Sequence, residues 1–185
     1  DFEGFGGWSE QLYLNYLLFI EDLGNFLNAS GYKLMIDLPP ISTDVEQSYY
    51  ELKYSDFEDL PVDYLTVMAY DYQYDYGGGN PIAPHMWVEG IIDRIQTEIS
   101  DNSRIVIGVP AYGYMAACGS YDVSILTFDQ ASAMPGFETA VRDEGSAEMM
   151  WEHNGICYAY QDDQSLDLKR SVVENKGIES ISIWH

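Results

Sequence analysis

The chain has 185 residues, 46% apolar and 15% aromatic, which is enough apolar material for a packed core and too much for a disordered segment. Eight Lys and Arg stand against 31 Asp and Glu, and the resulting net charge of -23 repels nucleic acid and anionic membrane surfaces. No apolar stretch is long enough to span a bilayer, and Cys118, Cys157 and the histidines His85, His153 and His185 fall in no metal-ligand spacing, so no metal site and no cofactor are expected.

From Ser9, apolar Leu12, Tyr16, Phe19, Leu23 and Phe26 recur at helical spacing, and Gly31 closes the segment as a helix C-terminal glycine would. Tyr32 to Leu38 reads as a short buried strand stopped by Pro39 and Pro40, and Thr43 with Glu46 forms a capping-box pattern that opens a second helix. The apolar run Val62 to Tyr70 is the next strand, followed by a loop rich in Gly and Tyr from Asp71 to Asn80. Pro84 to Ser100 is a helix with Trp87, Ile91, Ile95 and Ile99 on one face, and Arg104 to Val109 is a strand. Thr127 to about Glu144 is a weaker helical stretch, and Met149 to Tyr160 is a hairpin turning at His153-Asn154-Gly155. Asp163 to Lys176 is a helix ended by Gly177, which leads into the strand Ile178 to Trp184.

Continuously apolar strands separated by amphipathic helices argue for a parallel sheet covered by helices. A doubly wound sheet would often carry a Gly-rich phosphate loop, and none is present; a barrel gathers its functional residues at the C-terminal ends of its strands. That is where the polar and aromatic residues of this chain collect. A complete (β/α)8 barrel typically needs about 250 residues, so only part of one is expected here. The acidic residues read as one strongly charged solvated surface, for which a salty habitat and an ordinary acidic secreted enzyme are equal explanations. The two cysteines are compatible with one disulfide or with two free thiols.

Three strand ends stand out: Asp1-Phe2-Glu3 before Gly4, Met68-Ala69-Tyr70-Asp71, and Gly108-Val109-Pro110-Ala111-Tyr112-Gly113. In an extended strand residues i and i+2 share a side, so Asp1 and Glu3 sit within range of each other's charge, as Met68 and Tyr70 share a face. Two carboxylates that close do not both ionise readily, and one acquires the raised pKa that a general acid needs. Taken singly, Asp1 and Glu3 fit a solvated loop, Asp71 a helix cap or turn, and Trp184 a core position. Their order along the chain is the stronger signal.

That order resembles the family 18 glycoside hydrolases, the chitinase-type barrels. Asp1-Phe2-Glu3 looks like the last three positions of the family's fourth-strand pattern Asp-Gly-x-Asp-x-Asp-x-Glu, and Met68 to Asp71 matches its sixth-strand Met-x-Tyr-Asp. Gly108 to Gly113 matches the seventh-strand Gly-x-Pro-x-Tyr-Gly, Ile183-Trp184 the tryptophan that ends the eighth, and Asp162-Asp163-Gln164-Ser165 with Lys169 the helix before it. The resemblance implies an α/β fold, a partial (β/α)8 TIM barrel running from the end of strand 4 to strand 8, with residues 1–185 as the C-terminal part of the catalytic barrel. The first three strands and most of the fourth are missing from this pattern, so exposed strand edges and an inactive, aggregation-prone isolated segment are expected.

The resemblance also implies roles. Glu3 is the proton donor and then the base for water; Asp1 holds the acetamido N–H and steadies the positive ring; Tyr70 donates to the acetamido oxygen. Asp71 holds acetamido or hydroxyl groups, Trp184 is the floor under the sugar, and Met68 lies beside them. Tyr112 is a lining residue or a core residue, and Tyr72, Tyr74 and Tyr76 either stack on flanking sugars or pack the surface loop. The expected partner is a polysaccharide or oligosaccharide containing N-acetylglucosamine, chitin or peptidoglycan, met outside the cell or at the cell wall. A chitinase-like lectin is the rival reading, against which the presence of Glu3 counts. Tyr112-Gly113-Tyr114, where many chitinases have Arg at the last position, is similar to the spore-cortex and cell-wall lytic branch. The short stretch after the seventh strand leaves little room for an added α+β domain, so an open, shallow cleft is expected.

Overall fold

The structure, a computed structural model, describes residues 6–185, so the expectations for Asp1 and Glu3 lie outside the described residues. Ser9 accepts the Leu12 N–H and caps α1 (Glu10–Ala29), and Gly31 at φ 78° closes it. The buried stripe of α1 is Tyr13, Tyr16, Ile20 and Gly24, whereas Leu12, Phe19 and Phe26 of the expected stripe are exposed. Gly24 supplies the reason: a Cβ there would stand 2.3 Å from the Pro61 carbonyl oxygen, so the helix docks on the face that contains this glycine.

β1 (Met35–Leu38) starts later than expected, because the Leu34 backbone is already bonded to Asp63 and Tyr64. The capping box Thr43–Glu46 forms, and the helix it opens, α2 (Asp44–Gln47), is a single turn. β2 (Tyr64–Met68) runs to the Tyr/Gly loop, which contains a short helix, α3 (Tyr72–Tyr76), that the composition did not suggest. α4 (His85–Glu98) buries Trp87, Ile91 and Ile95 on one face, with Ile99 buried just beyond its end, as expected, and leads to β3 (Ile105–Pro110).

After β3 the chain departs from expectation. β4 (Gly113–Ala117) and β5 (Val123–Leu126) precede α5 (Phe128–Ser132), which covers only the start of the stretch read as helical. Pro135 and Gly136, the latter at φ 81°, break that stretch, and it continues as the 3₁₀ turn Phe137–Thr139 and the strand β6 (Val141–Arg142). β7 (Met149–His153) and β8 (Ile156–Tyr160) form the expected hairpin, with Asn154 and Gly155 both at positive φ as a two-residue type I′ turn requires. α6 (Asp163–Asn175) and β9 (Ser180–Trp184) complete the chain.

The strands form two sheets. β1-β2-β3-β9 is all parallel, in register Met68↔Gly108↔Ser182 and Pro110↔Trp184. Ile36, Leu38, Leu65, Val67, Ile105 and Ile107 alternate onto the face that packs with α1 and α4 in the main core. Asp37, Thr66, Met68, Gly108, Ser182 and Trp184 take the other face, the concave side of an open arc of a (β/α)8-type barrel.

The second sheet, β5-β4-β8-β7-β6, is antiparallel and sits between β3 and α6 in sequence. This corrects the expectation of little room for an α+β addition: five short strands and the one-turn α5 are enough to build one. Cys118 and Cys157 form a disulfide across β4 and β8, which settles the alternative left open above. Among the described residues, no helix is long and apolar enough to cross a membrane.

Candidate active site at the strand ends

Tyr70, two residues beyond β2, and Trp184, at the end of β9, lie nearly parallel, with ring centroids 6.5 Å apart and an angle of 6° between their planes. The strand between them makes this possible. Gly108 of β3 has no side chain, and a Cβ there would stand 2.9 Å from Cε1 of Tyr70 and 3.1 Å from the Val67 carbonyl oxygen. The first glycine of the Gly-x-Pro-x-Tyr-Gly motif is therefore the seat of the Tyr70 ring. The Ala111 N–H donates to the Trp184 carbonyl at 2.7 Å and fixes the end of β9 against the same motif. Met68 lies below, half-buried and packed against the barrel core, so it supports the site and does not join the aromatic pair.

Asp71 adopts a left-handed backbone, φ 73° and ψ 19°, which is uncommon outside glycine and turns the chain from β2 into α3. Its Oδ1 accepts the hydroxyl of Tyr112, a short bond between neighbouring strand ends. Tyr112 is 5% exposed, and burial together with the Asp71 charge holds its hydroxyl above the usual tyrosine range, so it stays a donor. The ring of Tyr112 is thus a core residue, one of the two readings expected of it, while its hydroxyl reaches Asp71.

The loop from Asp71 to Ala83 is fastened to the antiparallel sheet at successive points. Tyr114, whose hydroxyl burial pushes up to about 12, accepts the Gly79 N–H at 2.9 Å and donates to the Asn80 carbonyl. Gly78 exchanges backbone bonds with Ser120 and Gly119 at 2.7 Å each. At the far end the Glu148 carboxylate accepts the N–H groups of Ile82 and Ala83 at 2.7 and 2.8 Å. Lys169 caps this arrangement from α6: its ammonium donates to Glu148 at 3.0 Å and to the carbonyls of Ala83 and Ser146. Both side chains are buried, and burial lowers the Lys169 pKa against the pull of Glu148.

Four of the expected site residues thus fall into two pairs, Tyr70 with Trp184 and Asp71 with Tyr112, while Met68 stands apart and Asp1 and Glu3 lie outside the described residues. Sequence reasoning assigned four acidic residues to no site. Asp37 stands on the concave face with its pKa raised by burial; its odd position in the run Met-Ile-Asp-Leu was the available signal. Glu148 has no local signal, because its partners are 65 and 66 residues away. Asp75 and Glu46 line a cleft of about 490 Å³ with Pro40, Tyr49, Tyr50 and Tyr76 beside the start of the Asp71 loop.

The model of the glycosyl hydrolases family 18 matches residues 7–185. The protein of Bacillus subtilis (strain 168) named "Putative sporulation-specific glycosylase YdhD" is 24% identical over 199 residues, covering all of this chain and 45% of its own length. Among solved structures, the chitinase from Chromobacterium violaceum ATCC 12472 superposes with a TM-score of 0.78 at 25% identity, over 92% of this chain and 56% of that one. The Bacillus cereus spore cortex-lytic enzyme SleL superposes with a TM-score of 0.73 at 22% identity, over 91% and 41%. The chain therefore spans about half the length of the relatives it matches, 45% of YdhD and 56% of the chitinase. With the motifs at its strand ends and a family match over nearly its whole length, the chain belongs to the glycosyl hydrolases family 18.

Proposed function

We propose that this chain supplies the Tyr70–Trp184 and Asp71–Tyr112 half of the active site of a retaining glycosidase that cleaves β-1,4 linkages to N-acetylglucosamine. The observation that carries this reading is the parallel Tyr70–Trp184 pair beside a carboxylate fixed by Tyr112. An indole face matches the apolar C–H face of a pyranose, so Trp184 is the floor of the sugar site. Tyr70 presents a hydroxyl donor to the acetamido oxygen, and Asp71, oriented by Tyr112, accepts from the N–H or O–H groups of the substrate.

The reaction uses no enzyme nucleophile. Glu3 protonates the leaving glycosidic oxygen while the substrate's acetamido oxygen attacks the anomeric carbon, forming an oxazolinium ion and releasing the aglycone. Water, deprotonated by Glu3, then opens that ion with net retention. Asp1 steadies the positive charge. Family membership and neighbours named as chitinases and a spore cortex-lytic enzyme support a chitin-type or peptidoglycan substrate met outside the cell or at its wall.

The test is turnover of chitin oligomers and peptidoglycan by a barrel completed with N-terminal strands of the family, with Glu3 intact and as Glu3→Gln. Loss of hydrolysis with sugar binding retained in the variant is the expected result. Equal turnover by both would overturn the assignment of Glu3.

A further inference from the structure

The cleft beside the Asp71 loop carries an uneven charge. Among the described residues its lining includes Glu46 and Asp75 and no Lys, Arg or His. The cation that reaches α2, Arg94, is already held by Asp44, Gln47 and Glu98. Glu46 is fixed in place by the N–H groups of Ser42 and Thr43, the Ser42 hydroxyl and the Trp87 indole. Among the described residues Asp75 has no such set of donors, and burial, then the charges of Glu46 and Asp71, raise its pKa. Tyr76 stacks on Tyr72 with centroids 3.9 Å apart, which presents a rigid aromatic wall next to these carboxylates. A volume of about 490 Å³ falls in the range of small-molecule clefts.

We propose that this cleft selects glycan segments carrying free glucosamine ammonium groups, that is partly deacetylated chitin, over peptidoglycan strands that carry carboxylates. The inference rests on the glycosidase reading of the adjoining site and deepens it by naming the substrate class. An ammonium between Asp75 and Glu46 neutralises two like charges that otherwise oppose each other, and the tyrosine rings take the apolar faces of the sugar. A lactyl or peptide carboxylate in the same place adds a third like charge, which specificity uses as rejection.

Titration calorimetry of the barrel completed with N-terminal strands of the family, carrying Glu3→Gln to block turnover, with chitosan tetrasaccharide, its fully N-acetylated counterpart and a peptide-bearing muropeptide tests this. At low salt the chitosan tetrasaccharide is expected to bind about five-fold more tightly than the acetylated one, with the muropeptide weakest, and the advantage is expected to vanish at high salt. Asp75→Asn is expected to abolish the advantage. Glu179→Gln removes an equal charge at the opposite end of β9 and is expected to leave it, which separates the cleft from the general field of a protein of net charge -23. Equal affinity for the two tetrasaccharides, a muropeptide bound as tightly as chitosan, or equal losses in the two variants would overturn the inference. The glycosidase reading is judged separately, by Glu3-dependent turnover.

Discussion

The hydroxyl of Tyr112 donates to Oδ1 of Asp71 across the gap between the ends of β3 and β2. The two residues are 41 positions apart, and the bond converts a left-handed turn residue into a carboxylate of fixed direction. Tyr112→Phe keeps the buried ring and removes only this donor. A hydrogen bond to a charged acceptor contributes about 1.5–3 kcal/mol, so urea denaturation should show a loss in that range. Affinity for N-acetylated oligosaccharides should fall as well, because among the described residues Asp71 is then held only by the long contact from Gln73 at 3.4 Å. A variant of unchanged stability and affinity would mean that Asp71 is positioned by its backbone alone.

Gly108→Ala tests the seat of the aromatic pair. The added methyl meets Cε1 of Tyr70 at 2.9 Å and the Val67 carbonyl at 3.1 Å, and only the tyrosine ring can move without breaking the strand. The expected outcome is a folded protein destabilised by about 1–3 kcal/mol whose sugar affinity falls more than its stability explains. Full affinity with an intact fold would show that the parallel placement of Tyr70 and Trp184 does not matter for binding.

Local chemistry explains which parts of this structure were readable from sequence. The capping box at Thr43, the Asn154-Gly155 turn and the Gly177 stop are each set by a few neighbouring residues, and each formed where the pattern placed it. The motif order located Tyr70, Asp71, Tyr112 and Trp184 at strand ends because each strand ends where its apolar run ends. The antiparallel sheet was not readable. β4 and β5 are short, β5 is half-exposed, and β4 is held by its pairing with β8, Gly113↔Tyr160 across 47 positions, where Gly113 permits an approach that a Cβ, 2.7 Å from the Ala159 carbonyl, would block. The stripe of α1 was misplaced because the deciding contact, Gly24 against Pro61, lies outside the helix.

The Cys118–Cys157 disulfide closes a loop of sequence separation 39 within the antiparallel sheet. For a loop of that size the chain-entropy model gives about 4 kcal/mol of stabilisation. Its sulfur also lies against Gly79, where a Cβ would come within 3.3 Å of Cys157 Sγ, so the bond braces the Tyr/Gly loop next to the proposed site. Reduction with a dithiol, or Cys118→Ala with Cys157→Ala, should lower the denaturation midpoint and increase amide exchange across residues 77–80. Unchanged exchange in that segment would confine the disulfide to a global role.

Asp162 caps α6 through the Ser165 N–H at 2.8 Å and pairs with Arg142 at 2.6 Å. Arg142 is the main cause that lowers the Asp162 pKa from 3.8 to about 2, with the Ser165 bonds adding to it against the cost of burial. Because the folded pKa lies below the unfolded one, the stabilisation is fully present above 3.8 and is lost as the pH falls through that value toward about 2. The shift corresponds to about 2 kcal/mol. The overall charge works the other way: at a net charge of -23, protonating other carboxylates relieves repulsion, so the acid limb of the whole protein mixes both effects. Asp162→Asn separates them. The variant should be less stable than the parent by about 2 kcal/mol at pH 6, and the gap should close between pH 4 and pH 2. A gap that stays constant over that interval would assign the loss to the helix cap and not to the ionised pair.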